Sequence, residues 1–296
     1  MHNILIKTTI LFFALITFRC SEILINDDSY NSIYLKGGGW IQYQAEDLDL
    51  LNNNFSLEMW VSGADSDSDD SSMLVSILNN NNEIIFGLSR DISVDDVINL
   101  YIDNQMVQSI QNDDIDWSSG SFNLITISSD NDVIKIHINK EEVHSVNYDL
   151  QIGTSDFIVG ARVNDSQTIA SNFWYGYIDE IRLWGKALSD DEIAFHIDNP
   201  TKLVSFYGCD NSELTNITDC QEAGGVWSGG YGDDFLTNLK GLWRFNYNSP
   251  QLTIEDESCR QLNLDLGVSG SSDCQYINGT IYTLPNYTVE FSKTGI

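Results

Sequence analysis

Between residues 33 and 184 the chain alternates with a period of two, and nothing of helical period interrupts it. At 55–61, Phe-Ser-Leu-Glu-Met-Trp-Val sets Phe55, Leu57, Met59 and Val61 on one face of an extended strand. Segments 84–88, 98–102, 122–128, 133–138, 157–159 and 177–184 continue the series. Clusters of Asn, Asp, Ser and Gly, such as 79–82 and 129–132, read as the turns between them. Many short strands without helices must bury their apolar faces against one another, so the pattern predicts an all-β, antiparallel β-sandwich. One short helix is expected. Ser189-Asp190-Asp191-Glu192 forms a capping box ahead of Ile193, Ala194, Phe195 and Ile197, and Pro200 ends it.

At 177–184, simple alternation puts Tyr177, Asp179, Ile181 and Leu183 on one face and Ile178, Glu180, Arg182 and Trp184 on the other. Glu180 and Arg182 are then close enough for a structural charge pair within the sheet.

The length of 296 residues allows one or two domains and a sizeable core. With 14 Lys+Arg against 44 Asp+Glu, the net charge of −30 excludes nucleic acid and anionic membranes as partners, since each phosphate contact would begin against a repulsive field. Aromatic residues at 11% and the many β-branched positions separate the chain from acidic disordered sequences.

Residues 1–20 read as an export signal. Lys7 precedes an apolar run at 8–18, too short for a spanning helix, which needs roughly 20 residues. Cys20 stands directly after this run, as in bacterial lipoprotein signals, and is the expected lipidation site. Thr17, Phe18 and Arg19 depart from the Leu-small-small pattern that usually precedes that cysteine, and ordinary cleavage nearby or an uncleaved anchor are the alternatives. Removing residues 1–19 takes away Lys7 and Arg19 and no acid, moving the charge from −30 to −32. The expected location is the cell envelope or the exterior, lipid-anchored or secreted, with no transmembrane domain in the mature chain.

The other four cysteines, Cys209, Cys220, Cys259 and Cys274, lie in the last third. Four cysteines permit three connectivities, and proximity favours Cys209–Cys220 with Cys259–Cys274. A zinc site competes poorly, because no C-x₂-C or nearby His spacing exists. A Cys/Gly-rich insertion spans 201–237. At 239–246, Leu-Lys-Gly-Leu-Trp-Arg-Phe-Asn alternates again, opening a Cys-containing C-terminal extension over 238–296 with strand candidates at 280–284 and 287–291.

Four stretches resemble the laminin-G-like, pentraxin-related jelly rolls of the concanavalin A-like superfamily. Residues 32–44 resemble the opening strand, 54–63 the phenylalanine–tryptophan core strand, and 133–145 a strand–turn–strand. Residues 158–193, with Gly-Tyr-Ile-Asp-Glu-Ile-Arg at 176–182 and the capped helix, are the most specific. Gly241-Leu-Trp-Arg-Phe-Asn246 is similar to a strand that follows in bacterial members. The resemblance implies a jelly roll over 23–200, to which 238–246 returns, with a truncated second repeat as the alternative.

Hydrolases and lyases share this architecture, so the fold alone does not decide function. The glucanase-like members align two carboxylates on one strand at alternate positions, whereas Asp179 and Glu180 are adjacent. Lyases of this fold use Gln-x-His, and His137 lacks the Gln. The chain is therefore read as a non-catalytic recognition module for a glycan or an extracellular protein. A carbohydrate-active enzyme and a purely structural envelope component are the alternatives.

Calcium is the ion such domains hold at the sandwich rim. Asp65, Asp67 and Asp69 alternate in an acidic loop like the start of an EF-hand, although Asp70 stands where glycine is needed and Ser76 where the bidentate Glu would be. Asn164 and Asp165 lie in the loop resembling the pentraxin calcium loop, beside Arg162 and Val163 where the family has acid or amide ligands. For ligand stacking the candidates are Trp40, after three glycines, and Trp174 and Tyr175 at a loop-to-strand junction. Trp60, Trp184 and Trp243 are expected in the core or against the sheets.

Overall fold

A computed structural model describes residues 32–43, 54–64, 72–79, 81–91, 93–94, 97–150, 156–163, 170–201, 203, 208–209, 222–223, 227–228, 238–245, 253–254, 279–283, 289–292 and 296. In chain order the strands are β1 (Ser32–Lys36), β2 (Gly39–Tyr43), β3 (Phe55–Gly63), β4 (Ser72–Leu78), β5 (Ile84–Arg90), β6 (Val97–Ile102), β7 (Gln105–Gln111), β8 (Asn123–Asp130), β9 (Val133–Ile138) and β10 (Glu141–Asn147). They continue as β11 (Asp156–Val159), β12 (Arg162–Val163), β13 (Ala170–Ser171), β14 (Tyr175–Trp184), β15 (Gly208–Cys209), β16 (Trp227–Ser228), β17 (Leu239–Trp243), β18 (Thr253–Ile254), β19 (Gly279–Thr283) and β20 (Glu290–Ser292). The helix α1 (Asp190–Asp198) follows β14.

Two antiparallel eight-stranded sheets form the sandwich. The first runs β10-β9-β8-β3-β14-β1-β20, with β17 also paired to β14, and the second runs β18-β19-β2-β11-β4-β5-β6-β7. The strands β17 to β20, all beyond residue 238, join these two sheets and form none of their own. Between the sheets lies one apolar core, with Phe55, Leu57, Met59 and Val61 of β3 facing Ile77, Phe86, Leu88 and Leu100 of the second sheet. That interdigitation of alternate residues is what the period-two pattern encodes.

Two-residue turns opened by Asp or Asn link the hairpins. Asp103 and Asn104 join β6 to β7 with φ of 47° and 64°, the double positive φ of a type I′ turn, and Asn131 and Asn139 take positive φ in the next two hairpins. Asn and Asp tolerate that conformation better than other residues with side chains.

One strand departs from simple alternation. In β14, Asp179 pairs with Trp60 and Ile181 with Met59, so Glu180 is an extra residue, with φ 29°. This bulge shifts the side-chain phase by one. Ile178, rather than Asp179, therefore joins Ile181 and Leu183 in the core. The expected grouping of Ile178 with Glu180, Arg182 and Trp184 is corrected accordingly.

The outer face of the first sheet is also buried, because α1 lies on it. Trp184, Leu188, Ile193, Leu203, Leu239 and Leu242 form a second apolar cluster there, and all of β3 is buried on both faces. The expected capping box is present: the Glu192 amide donates to Ser189 Oγ, and the Ser189 amide donates to Glu192 at 2.8 Å. No helix of the described residues is long and apolar enough to cross a membrane.

Candidate functional site

Beneath α1 the outward-facing polar residues of β3 and β14 form a buried ionic network. Glu58 Oε1 lies 2.8 Å from His196 Nδ1, and the Trp184 indole donates to Glu58 Oε2 at 2.8 Å. Arg182 donates through Nε to Glu180 Oε1 at 2.8 Å and through Nη2 to the Pro200 carbonyl. Arg244 Nε, from the residue after β17, donates to Glu180 Oε2 at 3.0 Å. Burial by itself would raise the Glu58 and Glu180 carboxyls, but His196 and Arg182 around the first and Arg182 and Arg244 around the second outweigh it and hold both below the usual range. The expected Glu180–Arg182 pair is thus one part of a larger structural network. Glu58 and His196 escaped sequence reading. The available signals were an acid amid an apolar strand and a histidine three residues after Ile193 on the helix's buried stripe.

Asp179 is 4% exposed and sits beside this network. It accepts from the Glu180 amide at 2.7 Å and the Ile296 amide at 3.0 Å. Burial nevertheless pushes its carboxyl up to about 7, and the Glu180 charge adds to that. Asp179 and Glu180 thus serve as a buried acid and an ion-pair partner, each enclosed, with neither open to a cleft.

The aromatic candidates divide. Trp174 is 0% exposed and packs edge-on against Trp117 at 5.6 Å, so it is core and offers no stacking surface. The junction that carries it folds inward: the Trp174 amide donates to the Gly160 carbonyl, and its carbonyl accepts from the Gly37 amide. Tyr175 is half-buried, its ring lying where a Gly37 side chain would be, 1.9 Å from the position of a Cβ. Beside it on the first sheet, Tyr34 and Tyr177 stack at 4.5 Å.

Trp40 is 5% exposed and therefore is not itself an open platform, but its ring supports one. Tyr282, its register partner on β19, stacks on it at 5.5 Å with an interplanar angle of 14° and is 39% exposed. Phe173 also packs against Trp40, with ring centroids 6.1 Å apart and tilted by 40°. Next along the same strands, exposed Thr280 faces Gln42, whose amide donates to Asp156 Oδ2 at 2.8 Å. A fixed ring, an exposed ring and adjacent polar groups thus line one stretch of the second sheet's outer face. Tyr282 lay unnoticed in the sequence because the pairing of β19 with β2 is not a local signal. Trp60, Trp184 and Trp243 are buried, as expected.

Of the calcium candidates, Asp65, Asp67, Asp69, Asn164 and Asp165 lie outside the described residues, as do Cys20, Cys220, Cys259 and Cys274. Cys209 is described only as the backbone of β15. Arg162 donates to Asn104 Oδ1.

Residues 35–194 match the laminin G-type family model described as the concanavalin A-like lectin/glucanases superfamily. No curated protein sequence matches the chain. Among solved structures it is similar to a heptameric SAP-like pentraxin from Limulus polyphemus, at 10% identity and a TM-score of 0.46, over 57% of this chain and 82% of that one. It is also similar to a protein of inferred carbohydrate-binding function from Bacteroides ovatus, at 10% identity and a TM-score of 0.49, over 90% of this chain and 62% of that one. A third is the CBM40 of a Ruminococcus gnavus sialidase bound to α2,3 sialyllactose, at 15% identity and a TM-score of 0.43, over 56% of this chain and 96% of that one.

Proposed function

The chain belongs to the concanavalin A-like lectin/glucanases superfamily, and on that premise we propose that it is a non-catalytic module that binds a glycan on the outer face of its second sheet. The observation that carries this reading is Tyr282, exposed yet held flat against the buried Trp40 ring. A sugar ring presents an apolar C–H face that stacks on such an aromatic, and a ring already fixed by its neighbour loses little entropy on binding. Exposed Thr280 alongside supplies a hydroxyl for the sugar's own hydroxyls, and buried Gln42, bonded to Asp156, holds the polar floor beside it.

The acids of β3 and β14 support binding over hydrolysis. Glycoside hydrolysis needs two carboxyls flanking the scissile bond, and Glu58 and Glu180 are both enclosed in ion pairs beneath α1. In this reading the module works outside the cell, carried there by the signal at 1–20 and tethered through Cys20.

A glycan array probed with the full chain, in calcium and in chelator, tests the reading. Binding is expected, weakened by up to about tenfold in Tyr282→Ala and unchanged in Tyr34→Ala. Loss in Tyr34→Ala alone would move the site to the first sheet. Turnover of any glycan, abolished by one carboxylate substitution, would overturn the non-catalytic assignment.

A further inference from the structure

On the edge of the first sheet, away from Tyr282, lies a second constellation. His137 of β9, Glu142 of β10 and Asp190 at the start of α1 bring one ligand atom each to within 4.8 Å of one another. His137 Nε2 is 3.3 Å from Asp190 Oδ1. The His137 side chain is 1% exposed; its Nε2 meets Asp190 only as an ion-pair contact, and neither ring nitrogen has a partner in hydrogen-bond geometry. Thr126, its register neighbour on β8, likewise has a buried hydroxyl with no partner. A buried imidazole without hydrogen bonds is costly unless something else takes its lone pair.

We propose that His137, Glu142 and Asp190 form a binding site for a zinc-class divalent cation that ties the β9–β10 hairpin to the N-terminus of α1. One nitrogen and two carboxylates form a donor set for zinc or its first-row neighbours, whereas calcium takes oxygen alone. Two ligands on a tetrahedral ion with bonds of about 2.0–2.1 Å stand roughly 3.3 Å apart, the separation of His137 Nε2 and Asp190 Oδ1. Three protein ligands leave a fourth position. A cavity of about 510 Å³, bordered by Ser128, Lys135 and Leu188, shares Asp190 with the cluster.

Two groups oppose the ion. Lys135 Nζ holds Glu142 Oε2 at 2.7 Å, and the positive end of α1 points toward the cluster. Asp190, Asp191 and Glu192 in the first turn offset the latter. Lys135 is a competitor for Glu142, so its removal strengthens the site.

The test uses the full chain, stripped with chelator and dialysed. Cobalt titration, followed by visible absorption, is expected to reach one equivalent at this site and to be reversed by zinc. Losing a ligand costs at least what losing a supporting group does, about 10–100-fold in affinity, and this is expected for both His137→Gln and Asp190→Asn. Asp190 is exposed, so Asp190→Asn keeps the test valid should His137→Gln fail to fold. Lys135→Met is expected to tighten binding. Absence of cobalt binding at millimolar concentration, affinity unchanged in Asp190→Asn, or equal competition by calcium would each overturn the proposal.

Discussion

Glu58 of β3 and His196 of α1, 138 residues apart in sequence, meet at 2.8 Å with both side chains fully buried. Around them Arg182 and Trp184 use the remaining Glu58 oxygen. Removing one partner of a buried ionic group leaves the others desolvated and uncompensated, which costs about 3–5 kcal/mol. Glu58→Ala is therefore expected to lower stability by that amount in chemical denaturation. Because Glu58 is held below the usual carboxylate range, its contribution is present above the ordinary Glu value of 4.5 and is lost as pH falls below it. A Glu58→Ala loss that did not shrink at lower pH would contradict this.

Asp179 has the opposite sign. Its carboxyl titrates near 7 in the folded chain, against about 3.9 when unfolded. Between those values the folded state keeps a proton that the unfolded state has released, so stability falls as pH rises from about 4 to 7 and is flat above. Asp179→Asn removes the dependence. At pH 8 the variant should gain on the order of 3–4 kcal/mol over the parent, relative to their difference at pH 4. Parallel stability curves for the two proteins across that range would refute the assignment.

Gly37 joins β1 to β2 with φ of 75°, and a Cβ there would fall on the Tyr175 ring. Gly37→Ala combines a left-handed backbone, costing about 1–2 kcal/mol, with displacement of that ring. The melting temperature should drop by several degrees, and Tyr175→Ala in the same chain should recover part of the loss by opening the space.

The net charge of −30 is spread along the whole sequence, with 14 Lys+Arg against 44 Asp+Glu. Self-repulsion of this kind is screened beyond about 8 Å at physiological salt and 3 Å at 1 M. Melting in chelator is expected to rise steadily with sodium chloride up to seawater strength. A melting point flat in sodium chloride and raised by low calcium would instead point to an oxygen-only ion site, with Asp65, Asp67 and Asp69 the first residues to replace.

Export with lipidation predicts that the chain, expressed in a bacterium, incorporates labelled fatty acid at Cys20. Label should vanish in Cys20→Ser; its persistence there would refute tethering at that residue.

The strand alternation that marks a sandwich, the helix cap at Ser189 and the Glu180–Arg182 pair are legible in sequence because each signal lies within a few positions. The phase of Ile178 is not, because one extra residue in β14 reverses alternation without any mark in composition. The burial of Trp174 and Trp40 is hidden for a different reason: their surroundings are set by Trp117 and Tyr282, distant in sequence. The cluster around His137 has no local mark, since its companions Glu142 and Asp190 come from a neighbouring strand and a helix start.

The pairing of β1 with β20 and the ion pair between Lys36 and Glu290 close a span of 254 residues. β2 likewise needs β19, and β14 needs β17. Neither sheet has its full complement of strands until the last fifty residues have emerged, so vectorial synthesis cannot finish the fold early. Contacts this distant make folding slow. The opening strands β1 and β2 therefore stay incompletely paired until β20 and β19 have been made.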